Sequence, residues 1–169
     1  MTRKPTVTSR ISKRLTRYFQ RFIIDAYIIS FPKSGRTWLR VMIGKALCLK
    51  YDLPDDIMLD TPKITSAAGI LRTEFIHDYA DNTWREYSQL PTNKRRYAKK
   101  RVVFLVRNIK DVLVSYYFHS TKRTGDFSGD ISAFVRSERF GARKVITFYN
   151  IWHENLTVPL HFLLLRYEE

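Results

Sequence analysis

The sequence predicts an α/β fold in three layers, a central, mainly parallel β-sheet flanked by helices. Three observations predict it. Short apolar, β-rich runs alternate with longer segments of helical period. The run "VVFLV" at 102–106 is apolar throughout, as a strand covered on both faces of a parallel sheet has to be. "AYIIS" at 26–30 runs through "FPKSGR" directly into a helical pattern, which is how a βα unit with an anion-holding loop is written. The 169 residues suit a single domain with its own core.

Residues 1–22 hold seven basic residues and no acid. Ile11, Leu15, Tyr18, Phe19 and Phe22 recur there at helical spacing. An amphipathic helix over 11–22 follows, packed on its own domain with a solvated basic face or lying on an anionic membrane. The domain proper is then 23–169. After the first strand, "TWLRVMIGKALCLKYD" (37–52) reads as a helix with Leu39, Met42, Ile43, Ala46 and Leu47 on one face. Residues 52–70 read as irregular. "RTEFIHDY" (72–79) carries a second strand, and "NKRRYAKKR" (93–101) is a basic run of the kind that is usually a solvated face. Beyond "VVFLV", "IKDVLVSYYFHSTKR" (109–123) is a helix, with Asn108 as N-cap and Asp111 at the third helical position, much like a capping box. A loop over 124–130 leads to helices over 131–139 and 142–155. Val145, Phe148, Trp152 and Leu156 form one face of the second. "PLHFLLLRYEE" closes the chain as another buried strand.

Thirty Lys and Arg against sixteen Asp and Glu give a net charge of +14. Such a field attracts polyanions, whether nucleotides, nucleic acid, anionic lipid or sulfated sugars. Cys48 is the sole cysteine, which excludes an internal disulfide and fits a reducing compartment. The apolar stretch "FIIDAYIISF" holds Asp25 and is too short to span a bilayer, so a cytoplasmic protein is expected.

The loop Pro32-Lys33-Ser34-Gly35-Arg36-Thr37 has the chemistry of a phosphate site. Backbone N–H groups and the helix dipole converge on one point. Gly35 admits close approach of an anion, Ser34 and Thr37 add hydroxyls, and Lys33 and Arg36 add full charges. The segment is shorter than G-x-x-x-x-G-K-[ST], its lysine precedes the glycine, and "VVFLV" ends in Arg107 where a Mg²⁺-binding acid would stand. A P-loop-like fold that holds a nucleotide with an additional phosphate, and no metal, is the reading; a P-loop kinase would need that acid and the standard lysine.

With both strand ends in view, the chain resembles the cytosolic-type sulfotransferases, which transfer a sulfuryl group from 3′-phosphoadenosine-5′-phosphosulfate (PAPS) to a hydroxyl or amine. "PKSGRTW" is similar to that family's P-K-S-G-T-T-W loop, and "RNIKDVLVSYY" to its R-N-P-K-D-x-x-V-S-Y-Y motif. "VPLHFLLLRYEE" is similar to its apolar strand ending in Tyr-Glu-Asp. The resemblance runs from about residue 26 to 169. It implies that Lys33 contacts the sulfuryl group and its bridging oxygen. It implies that Ser34, Gly35, Arg36 and Thr37 hold the 5′-phosphate and that Trp38 stacks on adenine. Arg107 and Ser115 would bind the 3′-phosphate, with Tyr167 near the adenine. The family uses a histidine base. Of His77, His119, His153 and His161, His77 ends a strand between the two phosphate motifs, where the family's base occurs, and an imidazole pKa near 6.5 suits the task.

Arg36 stands for the family's Thr and Ile109 for its Pro, and the R-K-G-x-x-G clamp of the family's C-terminal part is not in this sequence. A truncated, catalytically inactive relative that binds only nucleotide or a partner is the alternative, and a basic nucleic-acid-binding protein the third. The partner expected is a small-molecule or carbohydrate acceptor. Nucleic acid is not expected, because the aromatics sit in apolar runs without the stacking pattern of single-strand binders.

Overall fold

Four strands pair side by side in the order β2-β1-β3-β4. They are β1 (Ala26–Ser30), β2 (Thr73–Ile76), β3 (Arg101–Val106) and β4 (His161–Arg166), and every pairing is parallel. The computed structural model describes residues 23–169. The basic helix expected over 11–22, and its membrane alternative, lie outside the described residues.

Ala26 stands opposite both Thr73 and Arg101, and Arg101 opposite His161, so all four strands start level. From the centre the chain moves outward in both directions. Right-handed crossovers in opposite directions put their helices on opposite faces of the sheet. Among the described residues two separate cores result. The larger holds Phe31, Phe104, Phe148 and Trp152 and is built between the sheet and helices α3 (Ile109–Phe118), α4 (Ile131–Arg136) and α5 (Ala142–Glu154). Phe104 stacks on Trp152 with centroids 5.5 Å apart and meets Phe148 at 5.8 Å. Such pairs add about 0.5–1.5 kcal/mol each beyond area burial. The smaller core holds Cys48, Ile57 and Ile64, between α1 (Arg36–Tyr51) and α2 (Thr61–Ala67).

Several expectations are corrected. Residues 52–70 are ordered: a 3₁₀ turn at Asp55–Ile57 and α2, whose N-cap Asp60 accepts from the Lys63 N–H. The buried stripe of α1 is Gly44 and Cys48, while Met42 is 59% exposed. Gly44 lies against the Met58 carbonyl, where a Cβ would not fit, so the helix docks through its backbone and not through its largest apolar residues. Among the described residues β4 is an edge strand, and the buried strand expected there has Leu163 59% and Leu164 48% exposed, one on each face. Asn108 caps α3 by accepting from Lys110 N–H, but Asp111 faces Arg107 and closes no box. The helix over 109–123 is α-helical to Phe118 and continues as a π-helical turn over His119–Thr124. Of the α5 stripe, Val145, Phe148 and Trp152 are buried and Leu156, beyond the helix, is half-exposed.

Candidate active site

A parallel sheet gathers its carboxyl ends on one edge, and ligands sit beyond that edge. Here each strand delivers one candidate residue there. Lys33 follows β1, His77 follows β2, Arg107 follows β3 and Tyr167 follows β4. All four line one cleft of about 540 Å³, together with Gly35, Arg36, Thr37, Trp38 and Ser115. Ser34 does not line it; it is fully buried, and its N–H closes a turn onto the Phe31 carbonyl at 3.3 Å.

The loop after β1 is shaped by its backbone. Lys33 and Gly35 have φ of 71° and 92°, and a Cβ on Gly35 would overlap the Tyr167 ring. Only glycine takes both that conformation and that contact without cost. Gly35 is also the N-cap of α1, and no side chain caps it. The first-turn amides therefore still need acceptors, which is the setting of an anion site. Arg107 locks the next strand end to this loop. Its guanidinium lies 4.5 Å from the Tyr167 ring centroid, and Nη1 donates to the Lys33 carbonyl at 3.3 Å. The Tyr149 hydroxyl accepts from the Arg107 N–H and donates to its carbonyl, both at 3.2 Å.

The charges facing the cleft are mostly alike. Partial burial first, then repulsion from Arg123 and Arg107, holds the Lys33 ammonium below the ordinary lysine range. A bound anion would relieve that repulsion. His77 Nδ1 lies 2.8 Å from the Ser30 carbonyl. A carbonyl only accepts, so Nδ1 carries the proton and Nε2 keeps the lone pair. Burial, then the Arg36 charge, pushes His77 down to about 4, against the opposing pull of Ser30 and Asp81. At neutral pH its imidazole is uncharged.

His119 lines the same cleft, whereas His153 and His161 are exposed and do not. Arg123 and Asp126 at the end of the π-helical turn, and Asp81 and Thr83 after β2, also line it and were not among the sequence candidates. Their one sequence signal was position, shortly after a strand or a motif helix that ends at the site.

The loop after β2 rests on a buried ionic cluster. The Asp78 carboxylate accepts from Lys94 Nζ at 2.7 Å, from the Tyr97 hydroxyl at 2.8 Å, and from Arg96. The Lys94 and Asp78 side chains are 2% and 1% exposed. The run 93–101 is thus no uniform solvated face: its Lys94 and Tyr97 are buried. Lys144 from α5, also buried, donates to the Asn82 carbonyl at 2.7 Å, and Arg139 donates to Thr83 at the same distance.

Residues 24–169 match the model of the sulfotransferase domain. Among relatives, cytosolic sulfotransferase 8 of Arabidopsis thaliana is 25% identical over 89% of this chain and 51% of its own length. Cytosolic sulfotransferase 1 of the same plant is 28% identical over 90% and 53%. Flavonol 3-sulfotransferase of Flaveria bidentis is 26% identical over 86% and 51%. The chain spans about half the length of the curated relatives it matches. No solved structure matches it. Among the described residues no helix is long and apolar enough to cross a membrane. A parallel sheet whose four carboxyl ends meet at one cationic cleft, and a family match over nearly all described residues, lead to one conclusion: the chain belongs to the sulfotransferase domain family.

Proposed function

We propose that this cleft binds PAPS and transfers its sulfuryl group to a hydroxyl (or amine) acceptor. The observation that carries the reading is the joining of two motifs 74 residues apart: the Arg107 guanidinium donates to the Lys33 carbonyl and packs on Tyr167. A 3′-phosphate on Arg107 and Ser115 and a 5′-phosphosulfate on the uncapped start of α1 would then belong to one nucleotide. Trp38, 66% exposed beside the loop, offers an indole face for a purine to cover.

The donor supplies an activated sulfur–oxygen bond; the residues supply position and charge. The acceptor oxygen bonds to sulfur as the bond from sulfur to the phosphate oxygen breaks. The electron pair goes to that oxygen, where Lys33 and the α1 amides stabilise it. The acceptor proton goes to Nε2 of His77, which the Ser30 carbonyl holds in the right tautomer. A conjugate-acid pKa of about 4 makes a weak base, and the two phosphates of the bound donor would raise it. The cleft faces a small-molecule or carbohydrate acceptor.

Calorimetric titration with adenosine 3′,5′-bisphosphate tests this, with ATP and Arg107→Ala as controls. The expected result is a preference for the bisphosphate over ATP that Arg107→Ala abolishes, a loss of about 100-fold for one charge-assisted pair. A folded chain that binds ATP as well as the bisphosphate, or that ignores Arg107→Ala, would overturn the reading.

A further inference from the structure

We propose that the acceptor carries a carboxylate near its reacting hydroxyl, as an acidic sugar does, and that Arg123, with His119 beside it, reads that carboxylate. This rests on the sulfotransferase reading of the same cleft and names the acceptor class within it.

The cations of the cleft divide by what they already do. Arg107 is held by the Lys33 carbonyl, the Tyr167 ring and Asp111. Lys33 and Arg36 sit on the loop itself. Arg123 is exposed at the cleft, and it makes no ion pair or hydrogen bond among the described residues. It lines the same cleft as Lys33, and its charge helps hold the Lys33 ammonium below the ordinary lysine range. No phosphate of the donor is left for it once Arg107 and the loop are assigned.

The backbone that carries Arg123 is unusual. His119–Thr124 is a π-helical turn, ended by Gly125 in the left-handed region at φ 71°. Such turns are rare and concentrate at functional sites. His119 and Arg123, four residues apart on this turn, both line the cleft. His119 Nδ1 is buried and has no hydrogen-bond partner. A buried polar atom left so costs about 1–3 kcal/mol, a cost for which the described residues supply no partner. Asp126 lines the cleft on the His119 side. A carboxylate accepts from sugar hydroxyls, so this wall offers one cation for a carboxylate and one acceptor for neighbouring hydroxyls. A neutral apolar acceptor would leave all three unused.

Methyl β-glucuronide and methyl β-glucoside differ by a carboxylate in place of a hydroxymethyl group. Each is titrated into the 169-residue chain, free and saturated with adenosine 3′,5′-bisphosphate, in wild type and in Arg123→Gln and His119→Gln. The expected result is about tenfold tighter binding of the glucuronide by wild type, a preference lost in Arg123→Gln and weakened in His119→Gln. Arg123 is exposed, so its variant should fold as wild type does. Equal binding of the two sugars, binding of neither, or a preference that survives Arg123→Gln would each overturn the proposal. If the bisphosphate does not bind while the free chain still prefers the glucuronide through Arg123, the donor reading fails and the carboxylate site stands.

Discussion

Two loops meet across the cleft, and they are held in opposite ways. The loop after β1 is held by backbone. Its glycine takes φ of 92°, a tyrosine ring lies on that glycine, and an arginine donates to the Lys33 carbonyl. The loop after β2 also turns through the left-handed region, at Asp78 (φ 46°) and Tyr79 (φ 70°), but neither residue is glycine. It is held by charge: Lys94, Arg96 and Tyr97 on the Asp78 carboxylate, Lys144 on Asn82, Arg139 on Thr83. A rigid anion cradle needs fixed N–H vectors, which backbone geometry supplies. The loop after β2, which on the proposed reading would present His77 to the acceptor, is supported from below by buried ions.

The largest effect that would break this comparison lies in the buried cluster. Asp78→Ala should destabilise the chain by about 3–5 kcal/mol, because Lys94 would remain buried without its counter-charge. Urea denaturation reads this as a fall in midpoint. Adding Lys94→Met to Asp78→Ala should recover part of the loss, since removing both charges removes the penalty of the orphan. A loss below 1 kcal/mol for Asp78→Ala would mean that the loop after β2 does not depend on charge.

Legibility follows the same division. The loop after β1 was readable as a candidate because its signal is local: Pro32, Lys33, Gly35, Arg36, Thr37 and Trp38 lie together in sequence and line one cleft, while Ser34 between them is buried. Arg107 was readable because it ends an apolar run, and such runs end at the same edge of a parallel sheet. The aromatic stripe of α5 was readable from period alone. The Asp78 cluster was not, because its partners lie 16 to 19 residues away and look like surface charge until the fold buries them. Lys144 was missed for the same reason, inside a stripe otherwise apolar. Gly44 was missed because a glycine in a helical pattern reads as a defect, yet it is the contact that lets α1 approach Met58. Arg123 follows His119 by four residues in the sequence, but no periodicity announces the π-helical turn that carries them.

A second prediction concerns pH. His77 is pushed down to about 4 in the fold, whereas an unfolded imidazole titrates near 6.5. Between those values the unfolded chain binds more protons, so stability is full above pH 6.5 and falls as pH drops toward 4. The cost should reach about 3 kcal/mol at pH 4, beyond what carboxylate titration removes. Denaturation midpoints of wild type and His77→Gln across this range isolate it: the variant should show the smaller slope. Parallel slopes would mean that the imidazole is not shielded, and that Arg36 and burial do not act on it as the geometry demands.

The smallest effect on stability should come from the cradle, and that is where the comparison sharpens. Gly35→Ala forces a Cβ into the left-handed region and into the Tyr167 ring, at about 1–3 kcal/mol for the backbone strain. The side chain of Tyr167 is 42% exposed, so the ring can swing aside without opening the core. Stability should therefore fall modestly. Bisphosphate affinity should fall by about 100-fold, because the ring carries Arg107 with it and the α1 amides lose their aim. Tyr167→Ala on the Gly35→Ala chain separates the two causes. Recovery of part of the affinity would identify the ring as the obstacle. No recovery would place the whole loss in the backbone, and the cradle would then owe its form to Gly35 alone.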